Sequence, residues 1–402
     1  MGDQRRIGLL TKEFPPEVYG GAGVHVTELA QALAELVEVR VHAFGADRDD
    51  PLVAASYREW DALSGDAPHL SALRTVSADL AIAAGVEGVD LVHSHTWYAN
   101  LAGHLAKLIY DIPHVVTTHS LEPLRPWKRE QLGGGYALSS FCERTGVEGA
   151  DAIIAVSEGM RDDVLTAYPS LDPDRIEVIY NGVDPGVYRP VDDLAALTEH
   201  GVDPDRPYAV FVGRITRQKG VVHLLDAAAH LPGGTQLVLC AGAPDTAEIA
   251  AEFRTRVADL EDAPVEVIWI DRMLPREEVV QLLSHARVFV CPSIYEPFGI
   301  VNLEAMACGL PVVASAVGGI VEYVVSGENG WLVPFEPGDD DLGSPADPDA
   351  FARELGRRIT QLLEDGDGAA AMGRAGRELV VDRFGWPAIA EQTAALYRRL
   401  LS

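Results

Sequence analysis

Short apolar runs alternate with helical patterns from Ile7 onward, and the same rhythm starts afresh at Tyr208; no other feature constrains the fold of this chain as much. In the first half, Ile7–Leu10, Val37–Phe44, Asp90–His95, His114–His119, Ala152–Ser157 and Ile176–Tyr180 read as strands, with helical patterns such as Val24–Leu36 and Leu101–Ile109 between them. In the second, Tyr208–Ile215, Gln236–Ala241, Val265–Ile270, Val288–Pro292 and Pro311–Ala314 do the same. Strands separated by helices build parallel sheets covered on both faces. Gly182–Pro207, rich in proline, glycine and aspartate, reads as a linker. At 402 residues the chain exceeds one ordinary core. The expectation is an α/β protein with two doubly wound domains, 1–183 and 208–384, joined by 184–207 and facing across a cleft. The final helix, Trp386–Leu401, has apolar residues at Ile389, Leu396 and Leu400; residues 385–402 are expected to pack back towards the first domain.

Composition narrows the function. A formal net charge of -29 leaves no basic stripe for a phosphate backbone, which argues against nucleic acid as partner. Against that field, any local cluster of cations in a cleft is informative. Cys142, Cys240, Cys291 and Cys308 lack metal-ligand spacing and read as buried free thiols. The chain enters a strand almost at once, without a signal-like stretch or an apolar run able to span a bilayer, so a cytoplasmic protein with no membrane partner is expected.

In a parallel sheet, ligands sit beyond the carboxyl ends of the strands, so the segments at those ends carry the argument. Glu296-Pro297-Phe298-Gly299 follows the strand at Val288, and Glu304 follows Glu296 with seven residues between them, in the helix starting near Gly299. The first amides of that helix, at Gly299, Ile300 and Val301, can face an anion or sugar hydroxyls. Gly213–Gly220 closes the first strand of the second half, and its Arg214 and Lys219 can converge on a diphosphate, one as a fork and one as a point charge. Neighbouring strand ends bring the two segments together. A diphosphate flanked by two acids fits a nucleotide sugar, with Glu304 on the ribose and Glu296 on the sugar. The plain alternative is a solvated basic turn beside two exposed acids.

In the first half, Lys12–Gly23 contains Tyr19, Gly20 and Gly21, whose loop amides can hydrogen-bond sugar or phosphate oxygens. It lacks the Gly-x-Gly-x-x-Gly dinucleotide fingerprint, because the third glycine position is Val26. His93, His95 and His119 fall at strand ends, and no acid or cysteine completes a familiar metal set, so no metal is assigned there. His119 suits a polar contact to the transferred sugar. Arg125, Lys128 and Arg129 put three cations in one short segment of an acidic chain, either to hold a phosphate-bearing acceptor or as a solvated helix start paired with Glu122 and Glu130. The acidic run Gly338–Asp341 reads as a solvated loop.

Taken together, Glu296 to Glu304, Gly213 to Gly220, Tyr180-Asn181-Gly182-Val183-Asp184 and the ending Arg383-Phe384-Gly385-Trp386 resemble the retaining glycosyltransferases of family 4, the bacterial glycogen synthase group, over nearly the whole chain. The resemblance implies the GT-B fold, two Rossmann-like domains with a C-terminal helix crossing back. It also implies metal-independent hexosyl transfer with no cofactor, cations standing in for a divalent ion. By resemblance, Arg214 and Lys219 bind the diphosphate and assist its departure, Glu296 contacts the donor sugar, and His119 lies near the reacting carbon. Gly20, Gly21, Phe298 to Val301, Glu304 and Asn181 belong to the donor side, and Lys12, Tyr19, His95, Arg125, Lys128 and Arg129 to the acceptor side.

Lys12 to Val26 and His93 to Arg129 look closer to the actinobacterial α-maltose-1-phosphate synthase branch, which implies ADP-glucose as donor and glucose 1-phosphate as acceptor. The longer bacterial glycogen synthases begin with Lys-x-Gly-Gly-Leu, whereas Val18-Tyr19 precede Gly20-Gly21 here. Elongation of an α-glucan and a sugar-nucleotide epimerase on the same architecture stay open. The donor base rests on the resemblance alone, and the oligomeric state, a homodimer included, is open.

Overall fold

In the computed structural model, residues 3–125, 127–242, 244–261, 263–340 and 343–402 are described; Pro126, Asp341 and the Glu130 side chain, on which expectations above fall, lie outside that description. The chain forms two compact units, Met1–Gly182 with Trp386–Ser402, and Val183–Gly385.

The first unit holds a parallel sheet of seven strands among the described residues: β1 (Asp3–Thr11), β2 (Val37–Phe44), β3 (Val53–Tyr57), β4 (Leu91–His95), β5 (His114–Thr118), β6 (Ala152–Ala155) and β7 (Ile176–Val178). Their spatial order is β3-β2-β1-β4-β5-β6-β7. The second unit holds six, again all parallel: β8 (Tyr208–Arg214), β9 (Gln236–Gly242), β10 (Glu266–Ile270), β11 (Val288–Cys291), β12 (Val312–Ser315) and β13 (Gly330–Val333). They run β10-β9-β8-β11-β12-β13. In each sheet the order reverses beside its first strand, between β1 and β4 and between β8 and β11. Loops leaving the strand ends diverge at such a switch point and open a crevice there.

Apolar burial on both faces explains why these strands read as continuous runs. Every residue of β9 and β11 is buried, and Leu237, Leu239, Phe211, Val288 and Val290 share one core with the helix Pro348–Glu364. Each such side chain contributes about 1.5–3 kcal/mol on leaving water. The segment 184–207 contains a short helix, Ala195–Glu199, with Ala196 and Leu197 buried.

The final helix, Trp386–Leu400, belongs to the first unit, where Ile389, Ala390, Ala394, Leu396 and Tyr397 join the core formed by β1, β2 and the helix Gly21–Ala34. Tyr397 fixes it from inside: its hydroxyl lies 2.6 Å from His93 Nδ1, and His93 Nε2 lies 2.7 Å from Thr117 Oγ1. As expected, all four cysteines are free and buried. Among the described residues no helix is long and apolar enough to cross a membrane.

Candidate functional site

The second unit's switch point carries the charged cluster. β8 and β11 are hydrogen-bonded neighbours, so the loops that follow them leave side by side. Ile294 N donates to Gln218 O at 2.9 Å, joining the two loops through backbone. Gly220 has φ +58, and a Cβ there would lie 2.0 Å from Pro292 O, so the approach depends on glycine. On that scaffold Lys219 Nζ lies 2.6 Å from Glu296 Oε2, which also accepts a 3.0 Å hydrogen bond from Ser293 Oγ. The Glu296 side chain is 7% exposed and that of Lys219 29%. Burial works to lower the Lys219 ammonium, but Glu296 and the Cys291 thiol outweigh it and hold it above the ordinary lysine value, so it stays charged.

Arg214, at the end of β8, is near enough to oppose the Lys219 charge. Its Nη1 donates to Asp245 Oδ1 at 2.9 Å, in the loop after β9. That anchor uses one end of the guanidinium and leaves further donors on the fork. Asp245 was not legible as a partner, since the end of β9 carries no motif. Glu296 is braced from the other side: Gly319 N donates to its carbonyl at 3.1 Å, and Gly318, at φ +49, would put a Cβ 2.0 Å from the same oxygen.

Gly299, at φ +88, caps the helix Ile300–Ala307, whose first amides belong to the half-buried Ile300 and Val301. Phe298 is turned into the protein instead, 5.3 Å from the Tyr323 ring and 6.0 Å from Phe384, and its carbonyl accepts from the Tyr323 hydroxyl at 2.5 Å. Glu304 is not solvated: it is buried and takes a hydrogen bond from the Tyr188 hydroxyl. That tyrosine lies in the segment read as linker.

The first unit's switch point holds the remaining candidates. Lys12, after β1, places its ammonium 4.0 Å from the centroid of Tyr98, after β4; burial lowers its pKa against the pull of Glu59 and Glu13. The glycine loop is less open than expected. Glu13 Oε2 accepts from Tyr19 N at 3.0 Å and Gly20 N at 2.8 Å, so those two amides serve a buried carboxylate rather than a ligand. Gly21, the first residue of the helix Gly21–Ala34, faces open space. Tyr19 is 41% exposed.

The histidines cluster. His95 Nδ1 and His119 Nε2 are 3.1 Å apart. His25, on the helix Gly21–Ala34, brings its ring centroid 4.7 Å from His119 and 5.4 Å from His95. Sequence reading passed over His25, whose only signal was a polar residue on the buried face of its helix. Asn181 lies beside His25, within the first unit. Burial lowers His25 to about 4 and drives His95 and His119 well below the ordinary imidazole value, so all three rings are neutral near pH 7.

The three cations of the expected acceptor segment differ in their surroundings. Arg125 turns inward, donating to Ser120 Oγ at 2.8 Å and lying 3.6 Å from Glu122, while the exposed Arg129 sits over the Tyr136 ring. Lys128, half-buried, opens the helix Lys128–Leu132.

Comparison with known proteins decides the family. The model described as glycosyltransferase family 4 matches residues 19–187, and that described as glycosyl transferases group 1 matches residues 195–379. The α-maltose-1-phosphate synthase of Mycolicibacterium smegmatis is 53% identical over 98% of this chain and 99% of its own. This chain belongs to glycosyltransferase family 4. The α-maltose-1-phosphate synthase of Mycobacterium tuberculosis is 52% identical over the same shares. Among solved structures, sucrose-phosphate synthase of Thermosynechococcus elongatus superposes with a TM-score of 0.78 at 29% identity, covering 99% of each chain. The two-sheet architecture of this glycosyltransferase is the GT-B fold. Membership in the family implies a nucleotide-sugar donor and a sugar acceptor.

Proposed function

We propose that this glycosyltransferase moves glucose from ADP-glucose to glucose 1-phosphate with retention, forming α-maltose 1-phosphate, and that it acts in the cytoplasm. The observation that carries the reading is the 53% identity, end to end, with the α-maltose-1-phosphate synthase of M. smegmatis. Four free, buried cysteines support the compartment.

In the donor complex Lys219 and Arg214 take the diphosphate, Glu296 takes sugar hydroxyls, and the first amides of the helix Ile300–Ala307 complete the sugar pocket. The Lys219–Glu296 pair is then a resting arrangement: each charge has a partner before the ligand arrives and exchanges it for part of the donor. The bond from the glucose anomeric carbon to the diphosphate breaks, and the bond to the acceptor O4 forms on the same face. The departing ADP takes the acceptor's proton, and the two cations stabilise the charge that grows on it. His119 contacts the sugar near the reacting carbon. Lys12 and His95 serve the acceptor side. Glu304 reaches the ribose by exchanging the Tyr188 hydroxyl for ribose hydroxyls.

An acceptor panel tests the proposal. ADP-glucose is incubated with purified protein and either glucose 1-phosphate or glycogen, and the products are weighed by mass spectrometry. ADP with a disaccharide phosphate is expected; lengthened glucan, or conversion of the donor without ADP release, contradicts it.

A further inference from the structure

The neutral histidine cluster of the first unit is built like a metal site. His25, His95 and His119 each bring one ring nitrogen within 4.8 Å of the other two. The closest pair, His95 Nδ1 and His119 Nε2, is separated by 3.1 Å, close to the roughly 3.3 Å between two nitrogens on one tetrahedral zinc at 2.0–2.1 Å. Two of the rings lack hydrogen bonds that a buried imidazole ordinarily makes. His25 is 3% exposed and meets only the Asn181 side chain as a hydrogen-bond partner among the described residues, and His95 is 1% exposed with Nε2 unpaired. Leaving buried polar atoms unmet is costly, and a cation held by the three rings satisfies a His25 nitrogen. His93 is excluded although its ring lies 4.2 Å from that of His95, because both its nitrogens are engaged by Tyr397 and Thr117.

We propose that His25, His95 and His119 bind one zinc-like divalent transition metal ion, with an open fourth position, and that the bound ion inhibits glucosyl transfer. Three imidazoles and one exchangeable ligand make a set that zinc accepts, and imidazole suits zinc, copper and nickel far better than magnesium or calcium. Half-buried His119 gives the ion its way in. His95 releases the Nδ1 position to the metal by carrying its proton on Nε2, so the rings need no net loss of protons. Inhibition, unlike binding, rests on the reading of His119 as the residue beside the reacting carbon: once it holds a metal it is withdrawn from the donor sugar. Nothing in this makes the ion part of the reaction.

The test reads the metal itself. Chelator-treated, desalted protein is titrated with Zn2+ against a chromogenic metal indicator, and cobalt loading of the wild type is followed by visible absorption. One equivalent of zinc with a Kd in the micromolar range or tighter is expected. So are the visible bands of four-coordinate, nitrogen-ligated cobalt. His25→Leu, which removes one ligand, is expected to weaken zinc binding at least about 10-fold. A wild type that holds zinc no better than a folded His25→Leu, or cobalt that keeps the spectrum of its aqueous ion, overturns the site. The cobalt spectrum decides even if the variant does not fold. Zinc inhibition is then scored against each protein's own zinc-free rate and reversed with chelator. Zinc that binds without inhibiting leaves the site standing, overturns inhibition, and removes His119 from the sugar.

Discussion

Replacing Lys219 by methionine separates two roles that one side chain can play. The ammonium lies 2.6 Å from Glu296, whose carboxylate is 7% exposed and, among the described residues, keeps the Ser293 hydroxyl when the lysine goes. Removing one member of a fully buried pair costs about 3–5 kcal/mol. Lys219 is 29% exposed, so water reaches the pair and the loss is set at about 1–3 kcal/mol. For a unit of this size that lowers Tm by roughly 2–4 °C per kcal/mol. If Lys219 also stabilises the departing diphosphate, turnover falls about 10²–10³-fold, a barrier increase of roughly 3 kcal/mol. Lys219→Met combined with Glu296→Gln tells the effects apart. Scanning calorimetry is expected to show most of the stability regained, since the orphaned charge is gone, while an ADP-release assay shows turnover still lost. Turnover near normal in Lys219→Met refutes the leaving-group role. Turnover that returns in the double variant refutes it too, because Lys219 then did no more than neutralise Glu296.

Tyr397→Phe leaves His93 Nδ1 without its buried partner and is expected to cost about 1–3 kcal/mol, read from the urea midpoint; no change means the hydroxyl does not tie the C-terminal helix to β4. Gly318→Ala places a Cβ 2.0 Å from Glu296 O at φ +49, whereas Gly201→Ala meets nothing within 4 Å at φ +71. Both bear the left-handed backbone penalty of about 1–2 kcal/mol, but only Gly318→Ala is expected to lower turnover as well, by shifting Glu296; equal turnover in the two contradicts the bracing. Burial, then the Glu122 charge, lifts Glu143 from the ordinary 4.5 to about 8, and its carboxyl is enclosed by Glu122 N and the Tyr168 hydroxyl. The fold therefore holds a proton that the unfolded chain releases near 4.5. Its stabilisation is complete below that value and is lost as pH rises to 8, by up to about 1.4 kcal/mol per pH unit. Urea titrations at pH 5 and pH 8 should show this fall in wild type and a flatter profile in Glu143→Gln; identical slopes exclude Glu143 as the source.

The architecture was legible because strands buried on both faces cannot hide their composition. β3 and β13 escaped for the complementary reason: both are edge strands, and Val53–Tyr57 has no fully buried residue while Gly330–Val333 is four residues long. The helix at Gly21 begins three residues before the expected Val24, since Gly21-Ala22-Gly23 has weak helical propensity and Glu13, from outside the helix, takes up the amides of Tyr19 and Gly20 just ahead of it. Adjacency of Lys219 and Glu296 followed from strand ends sharing a sheet edge. The partners that hold the site charges did not follow, because Asp245 on Arg214 and Tyr188 on Glu304 belong to loops without periodicity or motif. His25 was hidden differently, as a polar residue within a largely apolar buried helical face whose meeting with His95 and His119 is a matter of tertiary packing.

The measurement closest to the central claim is NMR of the product made from ADP-glucose carrying carbon-13 at the donor anomeric carbon, with unlabelled glucose 1-phosphate as acceptor. The label is expected in an α-1,4 linkage on the non-reducing glucose, with the phosphate still on the unlabelled one. Label found in a β linkage, in free glucose, in an epimerised donor or along a glucan chain contradicts it.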